Sequence, residues 1–457
     1  MDGHEITAAG SRTQSDGYGA SYGASYAYPA DFARFVLERW EETPSGYPYS
    51  EGAPDGVVLE ALFSTCYQAS LLREEERPVT FRLILAGPEE FSAGNGPPEG
   101  FHVLEFPDTR GFNPRELRRL SVAADFQRTM IGAKFDGEMG IRIWGLVHTG
   151  SRWLRDVQGG RRAGAAPPVA PVVHVEAPGA LEVRKGYELV GKLERGEISG
   201  ARADLFESEW MPAEFTRVME ELNGLHEAAR DRAFEQSGER WAPLEPDLTR
   251  RISERMLKRV VSVVSDSRHG GTLIFLPSEK LDEICGSDPY VDVKYPFLEG
   301  PAGVRFRDVI VGILNRKARL HGTTDGGDPV PVRWEHFEQT TDGRIATLDE
   351  GMFEVAYLIA GLAATDGAVV MSKEHELLGF GGVVSGSLPS VKTVWRALDL
   401  EGENMVREAA EEQGTRHRSA YRIAAAVADA LVVVISQDGG VRFVSRKGDR
   451  VVYWDQE

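Results

Sequence analysis

Gly414-Thr415-Arg416-His417-Arg418-Ser419-Ala420 sets three cationic or protonatable side chains beside a Gly-Thr turn, and an alanine-rich run with helical character, 421–428, follows at once. Gly414 can take backbone angles barred to other residues, and Thr415 can cap the first turn of that helix. A helix start exposes unpaired N–H groups and the positive end of the helix dipole, so this corner is suited to an anion. Arg416 and Arg418 add charge-assisted donors that match phosphate. His417 can ligate a metal or steer a proton. The chemistry indicated is phosphate handling.

Upstream, Asp366-Gly367-Ala368 closes the run 360–365 and opens the apolar strand 369–371. A carboxylate beside a glycine at a strand edge can approach a ribose hydroxyl or a divalent ion. Downstream, 429–436 reads as a buried strand, Gln437-Asp438-Gly439-Gly440 as a Gly-rich hairpin and 441–445 as its partner strand. Taken in this order, the segment resembles the diadenylate cyclase domain. The two hallmark motifs of that family, Asp-Gly-Ala and Arg-His-Arg, stand intact, with Gly-Thr before the second and a Ser-containing acidic, glycine-rich turn after it.

The resemblance implies an α/β (α+β) fold with a mixed sheet flanked by helices. It also implies a homodimer or higher homo-oligomer in which two domains face each other, each holding one ATP, and Mg²⁺ or Mn²⁺ as the cofactor. The 3′-hydroxyl of each ATP would attack the α-phosphate of the other, giving cyclic di-AMP and two pyrophosphates. In-line phosphoryl transfer needs positioning and charge neutralisation more than covalent help, which suits this residue set. By resemblance, Asp366 engages the 3′-hydroxyl or metal, and Gly367 and Ala368 let the nucleotide approach. Gly414, Thr415, Arg416, His417 and Arg418 hold phosphates and metal, Ser436 lines the nucleotide, and Asp438 is a further metal candidate. Catalysis would fall to Asp366, Arg416, His417 and Arg418.

Two departures bear on activity. The family commonly has Ser-Glu-Glu-Thr-Gly where this chain has Ser436-Gln437-Asp438-Gly439-Gly440, which weakens metal coordination. The strand after Asp-Gly-Ala, 378–384, carries three glycines where bulkier residues usually pack. An active cyclase and a non-catalytic nucleotide sensor, binding ATP or an adenine dinucleotide, therefore both stay open, with a scaffold bearing a relic pocket behind them.

With 457 residues and 42% hydrophobic content, the chain has room for two or three domains with real cores. A formal charge of −19 argues against general nucleic-acid binding. Residues 414–450 run against that balance, with seven Lys/Arg to three Asp, a net of +4. Cys66 and Cys285 form no metal-type pair and suit reduced thiols in a cytoplasmic protein. No apolar run is long enough to span a bilayer, and no signal-peptide core is present.

Residues 1–29 form a Gly/Ser/Tyr tail, read as disordered. A helix bearing Phe32, Phe35, Val36 and Trp40 follows, then a second from Gly56 with Leu59, Leu62, Phe63 and Cys66 on one face. Next come a strand at 79–85, a helix at 115–124 with Leu117, Leu120 and Val122 inward, and an antiparallel pair at 129–135 and 140–147. His148 reads as a hydrogen-bonded turn residue and Trp144 as core. A linker or loop at 157–171 and a small β-unit to Gly200 complete this part. Residues 30–200, through Asn113-Pro114, Ile143-Trp144-Gly145-Leu146 and Pro178-Gly179, resemble the DACNV sensor region found ahead of diadenylate-cyclase-like domains. Residues 201–245 read as a charged helical connector and 246–457 as the nucleotide domain. In the latter, His269 reads as a turn residue and Asp325 and Asp328 as a solvated loop.

Overall fold

The computed structural model describes residues 26–43, 54–91, 100–150, 167–200, 204–267, 269–286, 289–298, 301–322, 329–437 and 439–456, without the side chains of 301–305. Most of the N-terminal tail and of the expected loop at 157–171, together with Asp325, Asp328 and Asp438, lie outside them. The described chain has mixed α/β content, with mixed sheets flanked by helices.

The first sheet follows helices α1 (Pro29–Trp40) and α2 (Gly56–Ser70) and a two-residue hairpin, β1 (Arg73–Glu74) and β2 (Arg77–Pro78). Its strands are β3 (Phe81–Leu85), β4 (His102–Gly111), β5 (Thr129–Asp136), β6 (Gly140–His148), β7 (Pro171–Ala177), β8 (Ala180–Lys185), β9 (Glu188–Glu194) and β10 (Glu197–Gly200), in the order β10-β9-β8-β7-β3-β5-β6-β4. Side chains alternate across a strand, so Phe81, Leu83, Val173 and Val175 face one way. There Phe32, Val36 and Trp40 of α1 and Leu59, Leu62 and Phe63 of α2 seal them. Helix α3 (Pro114–Ala123) buries Leu117, as its spacing suggested. Val122, expected inward, is 71% exposed: Leu117 and Leu120 define the packed stripe, and Val122 lies off it. Trp144 is buried and its indole N–H donates to the Ala86 carbonyl at 2.8 Å. His148 accepts or donates at Nδ1 with the Thr129 hydroxyl at 3.0 Å.

The second sheet holds β11 (Gly271–Leu276), β12 (Val291–Pro296), β13 (Ala368–Ser372), β14 (Leu377–Val384), β15 (Thr393–Ala397), β16 (Met405–Ala409), β17 (Leu431–Ile435), β18 (Val441–Lys447) and β19 (Arg450–Gln456). Their order is β12-β14-β13-β11-β17-β18-β19-β15-β16. The central strands β11, β13 and β17 are buried at every position because both faces are covered. Leu273, Phe275, Val369, Met371, Val433 and Ile435 meet helices α5 (Thr216–Ser237), α6 (Leu248–Asp266), α8 (Pro301–Leu320) and α10 (Gly343–Ala363). Ile274, Val370, Val432 and Val434 meet helix α11 (Thr415–Ala426) on the other side. Smaller helical pieces are α4 (Trp210–Ala213), α7 (Leu281–Cys285) and α9 (Trp334–Glu338).

The expected connector does more than connect. Leu205, Phe206, Met211, Phe215, Val218 and Leu222 enter the core of the second sheet, and Trp210 stacks on Trp454 with ring centroids 4.3 Å apart. Its charges alternate with these apolar positions, and Asp204, Glu214 and Glu221 pair with Lys258, Lys373 and Arg307 of the same unit. The stretch between Cys285 and Glu350 supplies the edge strand β12 and helix α8.

Candidate functional site

Three neighbouring strands bring the candidate residues to one end of the second sheet. Leu273 of β11 pairs in parallel with Val369 of β13, so Asp366-Gly367-Ala368 enters the sheet one strand from Gly270-Gly271. On the other side of β11, Gly271 pairs with Ile435 of β17, which places Ser436 and the hairpin beyond it at the same end. Helix α11 then delivers Arg416 to this edge. A Cβ added at Gly270 would lie 2.8 Å from Arg416 Nη1 and 2.8 Å from the Ile435 carbonyl. Gly270 also has φ +66°, so its lack of a side chain is required twice over.

Gly367 is the second such position. Its φ is +105°, and an added Cβ would come within 2.6 Å of the Gly381 backbone. The glycines of β14 are thereby accounted for: the backbone of Asp-Gly-Ala packs directly on that strand. An added Cβ on Gly381 would in turn meet Tyr295 of β12 at 3.3 Å. Tyr295 stacks on Phe380 at 4.7 Å, Phe297 lies 5.8 Å from the same ring, and both Tyr295 and Phe297 keep over 40% of their surface. Sequence reasoning passed over this aromatic surface beside Gly367. The Val-Asp-Val-Lys-Tyr alternation of β12 was its available signal.

Asp366, Arg416 and Arg418 are exposed. No hydrogen bond or ion pair joins Asp366 or Arg416 to other described residues, whereas Arg418 Nη2 reaches the Thr415 hydroxyl at 3.4 Å. The helix begins earlier than its alanine content indicated, at Thr415, which makes Thr415 the first helical residue and not the cap. The cap is Gly414, at an ordinary φ of −61° and with no side chain to satisfy the first N–H groups. Both expectations for the turn are corrected, and the outcome is a more open helix start than a threonine cap would leave. His417 is half-buried, its ring 6.5 Å from that of Tyr421. Ser436 is tied to its own hairpin, its hydroxyl donating to the Gly440 carbonyl at 3.1 Å.

Two arginines hold α11 in place. Arg442 of β18 donates to Asp455 at 2.7 Å, to Gln413 at 3.0 Å and to the Tyr421 hydroxyl at 2.9 Å, with its guanidinium 3.9 Å over the Tyr453 ring. Gln413 immediately precedes the helix cap, so this bond fixes where the helix starts. Arg422 donates from Nη2 to the carbonyls of Ser385 (2.7 Å), Gly386 (3.0 Å) and Leu388 (2.5 Å), clamping the loop after β14 onto the same helix. The corner is therefore built on supported elements while its own charges stay exposed. Sequence reading counted both arginines only in the local charge.

Among the described residues no set of three metal-donor side chains converges at Asp366; the one such group is His174, Glu176 and Glu182 in the first sheet. A lone carboxylate is enough for Mg²⁺ that keeps waters and shares nucleotide phosphates. The described donors thus fit a metal arriving with its nucleotide, and Asp438 lies outside them. No helix of the described residues is long and apolar enough to cross a membrane. Cys66 is a free, buried thiol and Cys285 a free, half-buried one.

A search of the curated proteins and a search of the solved structures each returned no match to this chain. Residues 49–148, which run from before α2 to the end of β6, match the family model described as "Probable sensor domain DACNV".

Proposed function

We propose that this is a signalling protein whose C-terminal part, 246–457, binds ATP and condenses two ATP into cyclic di-AMP under control of the N-terminal region. The sensor-family match at 49–148 supports the signalling role. The observation that carries the nucleotide reading is convergence: Asp366-Gly367-Ala368 and Arg416, fifty residues apart, arrive at adjacent strands of one sheet end through Gly270. The motifs alone did not require that.

In this reading the N–H groups at the start of α11, with Arg416 and Arg418, neutralise the triphosphate. The base stacks on the Tyr295–Phe380 surface, and Gly367 and Ala368 let the ribose approach. Asp366 stands at the attacking 3′-hydroxyl and would hold Mg²⁺ or Mn²⁺, which supplies charge neutralisation on the phosphates. The 3′-oxygen forms a bond to the α-phosphorus of the facing nucleotide, the α–β anhydride bond breaks, the hydroxyl proton passes to solvent and pyrophosphate leaves. One chain presents half of each reaction, so turnover requires a homodimer and rises faster than linearly with protein concentration near its dissociation constant.

A second reading rests on a specific observation, the lack among the described residues of a three-donor metal set at Asp366, together with Gln437 in the hairpin. In it, the same corner binds an adenine nucleotide without cyclising it. Incubating the pure protein with ATP and Mn²⁺ or Mg²⁺, then analysing products by mass spectrometry, separates the two. Cyclic di-AMP supports the cyclase; saturable ATP binding without product leaves the sensor.

A further inference from the structure

A row of polar side chains crosses the first sheet on the face turned away from α1 and α2. Arg82 of β3 sits opposite His174 of β7, His174 opposite Glu182 of β8, and Glu182 opposite Lys192 of β9. Arg82, His174 and Glu182 retain 0%, 2% and 5% of their surface. Ionisable groups placed so deep are costly unless each is matched.

Glu182 is matched. Its Oε1 accepts from Arg184 Nε at 2.5 Å, its Oε2 lies 2.8 Å from Lys192 Nζ, and His174 Nδ1 stands 3.4 Å from Oε1. Arg82 is not. Nη2 reaches the Thr149 hydroxyl at a long 3.4 Å, while Nε and Nη1 have no hydrogen-bond partner among the described residues. His174 Nε2, on the adjoining strand, has none among them either. The Phe126 ring lies across both, 6.0 Å from the guanidinium and 5.9 Å, edge-on, from the imidazole. Asp125 acts on Arg82 through space without a hydrogen bond between them. Burial lowers the guanidinium to about 9 and the imidazole to about 4, so at neutral pH Arg82 stays a cation and His174 is neutral. With Nδ1 donating to Glu182, His174 Nε2 presents a lone pair.

His174, Glu176 and Glu182 place ligand atoms within 4.8 Å of one another, which raises a metal as the occupant. Both oxygens of Glu182 already carry cations, and Arg82 adds a third positive group nearby. A metal ion would have to displace both cations from Glu182; an anion can instead supply the hydrogen-bond partner that Arg82 lacks among the described residues. We propose that the Arg82–His174 end of the row is a binding site for a small oxyanion, a carboxylate or a phosphate, that accepts from Arg82 and offers a hydroxyl hydrogen to His174. An α-hydroxy acid and hydrogen phosphate share that chemistry. Arg82 lies inside the stretch matched to the sensor family, and the site does not depend on nucleotide binding at the other sheet.

The test uses the full chain carrying Arg416→Ala and Arg418→Ala, which silences the C-terminal phosphate corner. Inorganic phosphate and malate are titrated against chloride at equal ionic strength while melting is followed. A saturable rise in melting temperature is expected with at least one of them, phosphate alone or malate alone identifying the class. Adding Arg82→Met should abolish the rise and leave the ligand-free melting temperature equal or higher, because an apolar side chain replaces a desolvated charge that lacks a partner. No saturable rise with either probe, or a rise that survives Arg82→Met, overturns the proposal. Should Arg82→Met not fold, His174→Gln is read instead: several-fold weaker binding supports the site, and an unchanged titration overturns it.

Discussion

Arg416, at the start of α11 beside one sheet, and Arg82, in the interior strand β3 of the other, are held under opposite conditions. Arg416 is exposed, stands against a glycine and makes no ion pair with described residues; Arg82 has no exposed surface and keeps two nitrogens without a hydrogen-bond partner among those residues. Solvent screens the first, so its charge costs the fold little and remains available to a phosphate. The second carries a desolvation cost that only an added partner removes. The lesson is that an unpaired charge reads differently by depth: at the surface it identifies a site by its neighbours, and in the interior by the cost of leaving it alone.

The comparison breaks most visibly at Asp366. Because this carboxylate has no partner to lose, Asp366→Asn should leave the melting temperature within about 1 °C, a surface change of under ~0.5 kcal/mol. Turnover to cyclic di-AMP should nevertheless fall by about 10²–10³-fold, the usual effect of removing one group that acts on developing charge. Equal losses of turnover and of ATP affinity would make Asp366 a binding residue only.

Buried groups should answer to pH where exposed ones do not. Burial holds His174 to about 4 and His375, stacked between Phe215 and Phe306, to about 3, from an ordinary 6.5. Both folded values lie below the unfolded one, so the unfolded chain binds more protons in the interval. Their contribution is complete above pH 6.5 and is lost as pH falls toward 4. At pH 5 each histidine should cost about 2 kcal/mol relative to pH 7, measurable as a shift in denaturant midpoint. His375→Asn, which tolerates the positive φ of +63° there, should remove about half of the loss. A midpoint unchanged between pH 7 and 5 would contradict the burial assignment.

Arg442 connects the two conditions, being half-buried itself while positioning exposed groups. Arg442→Met removes the bond to Gln413 that fixes the start of α11. ATP affinity should drop about tenfold, or ~1.4 kcal/mol, with a chain that still folds and with the affinity largely restored by Arg442→Lys. The smallest effect belongs to the aromatic edge. Tyr295→Ala should weaken ATP by about 1 kcal/mol, the lower end for a stacked base, and leave binding of free triphosphate unchanged. If triphosphate weakens equally, the ring is not a base platform.

Much of the second sheet was legible because its strands are apolar runs bounded by glycines, and a run buried on both faces needs no alternation to be recognised. The site residues were legible as two triplets with distinctive chemistry. Their meeting was not, because it depends on Gly270 and on the register of β11 between β13 and β17, which only the folded sheet fixes. Tyr295 was missed because the Val-Asp-Val-Lys-Tyr alternation marks an edge strand but not what its ring will face. The helix start was misplaced because Thr415 is an excellent cap in isolation, and the Gln413–Arg442 bond that overrides it spans twenty-nine residues. Arg82 sat unnoticed in an ordinary strand pattern; nothing in Phe-Arg-Leu-Ile-Leu says that both faces will be covered.

The central claim is that the Asp-Gly-Ala and Arg-His-Arg segments form one nucleotide site. Isothermal titration of a non-hydrolysable ATP analogue tests it most directly, comparing the natural chain with one carrying Arg416→Ala and Arg418→Ala. The expected result is saturation at one nucleotide per chain, with at least a hundredfold loss of affinity, about 2.7 kcal/mol, in the variant while its melting temperature is unchanged. Equal affinity in the two proteins, or no binding by the natural chain, would contradict it.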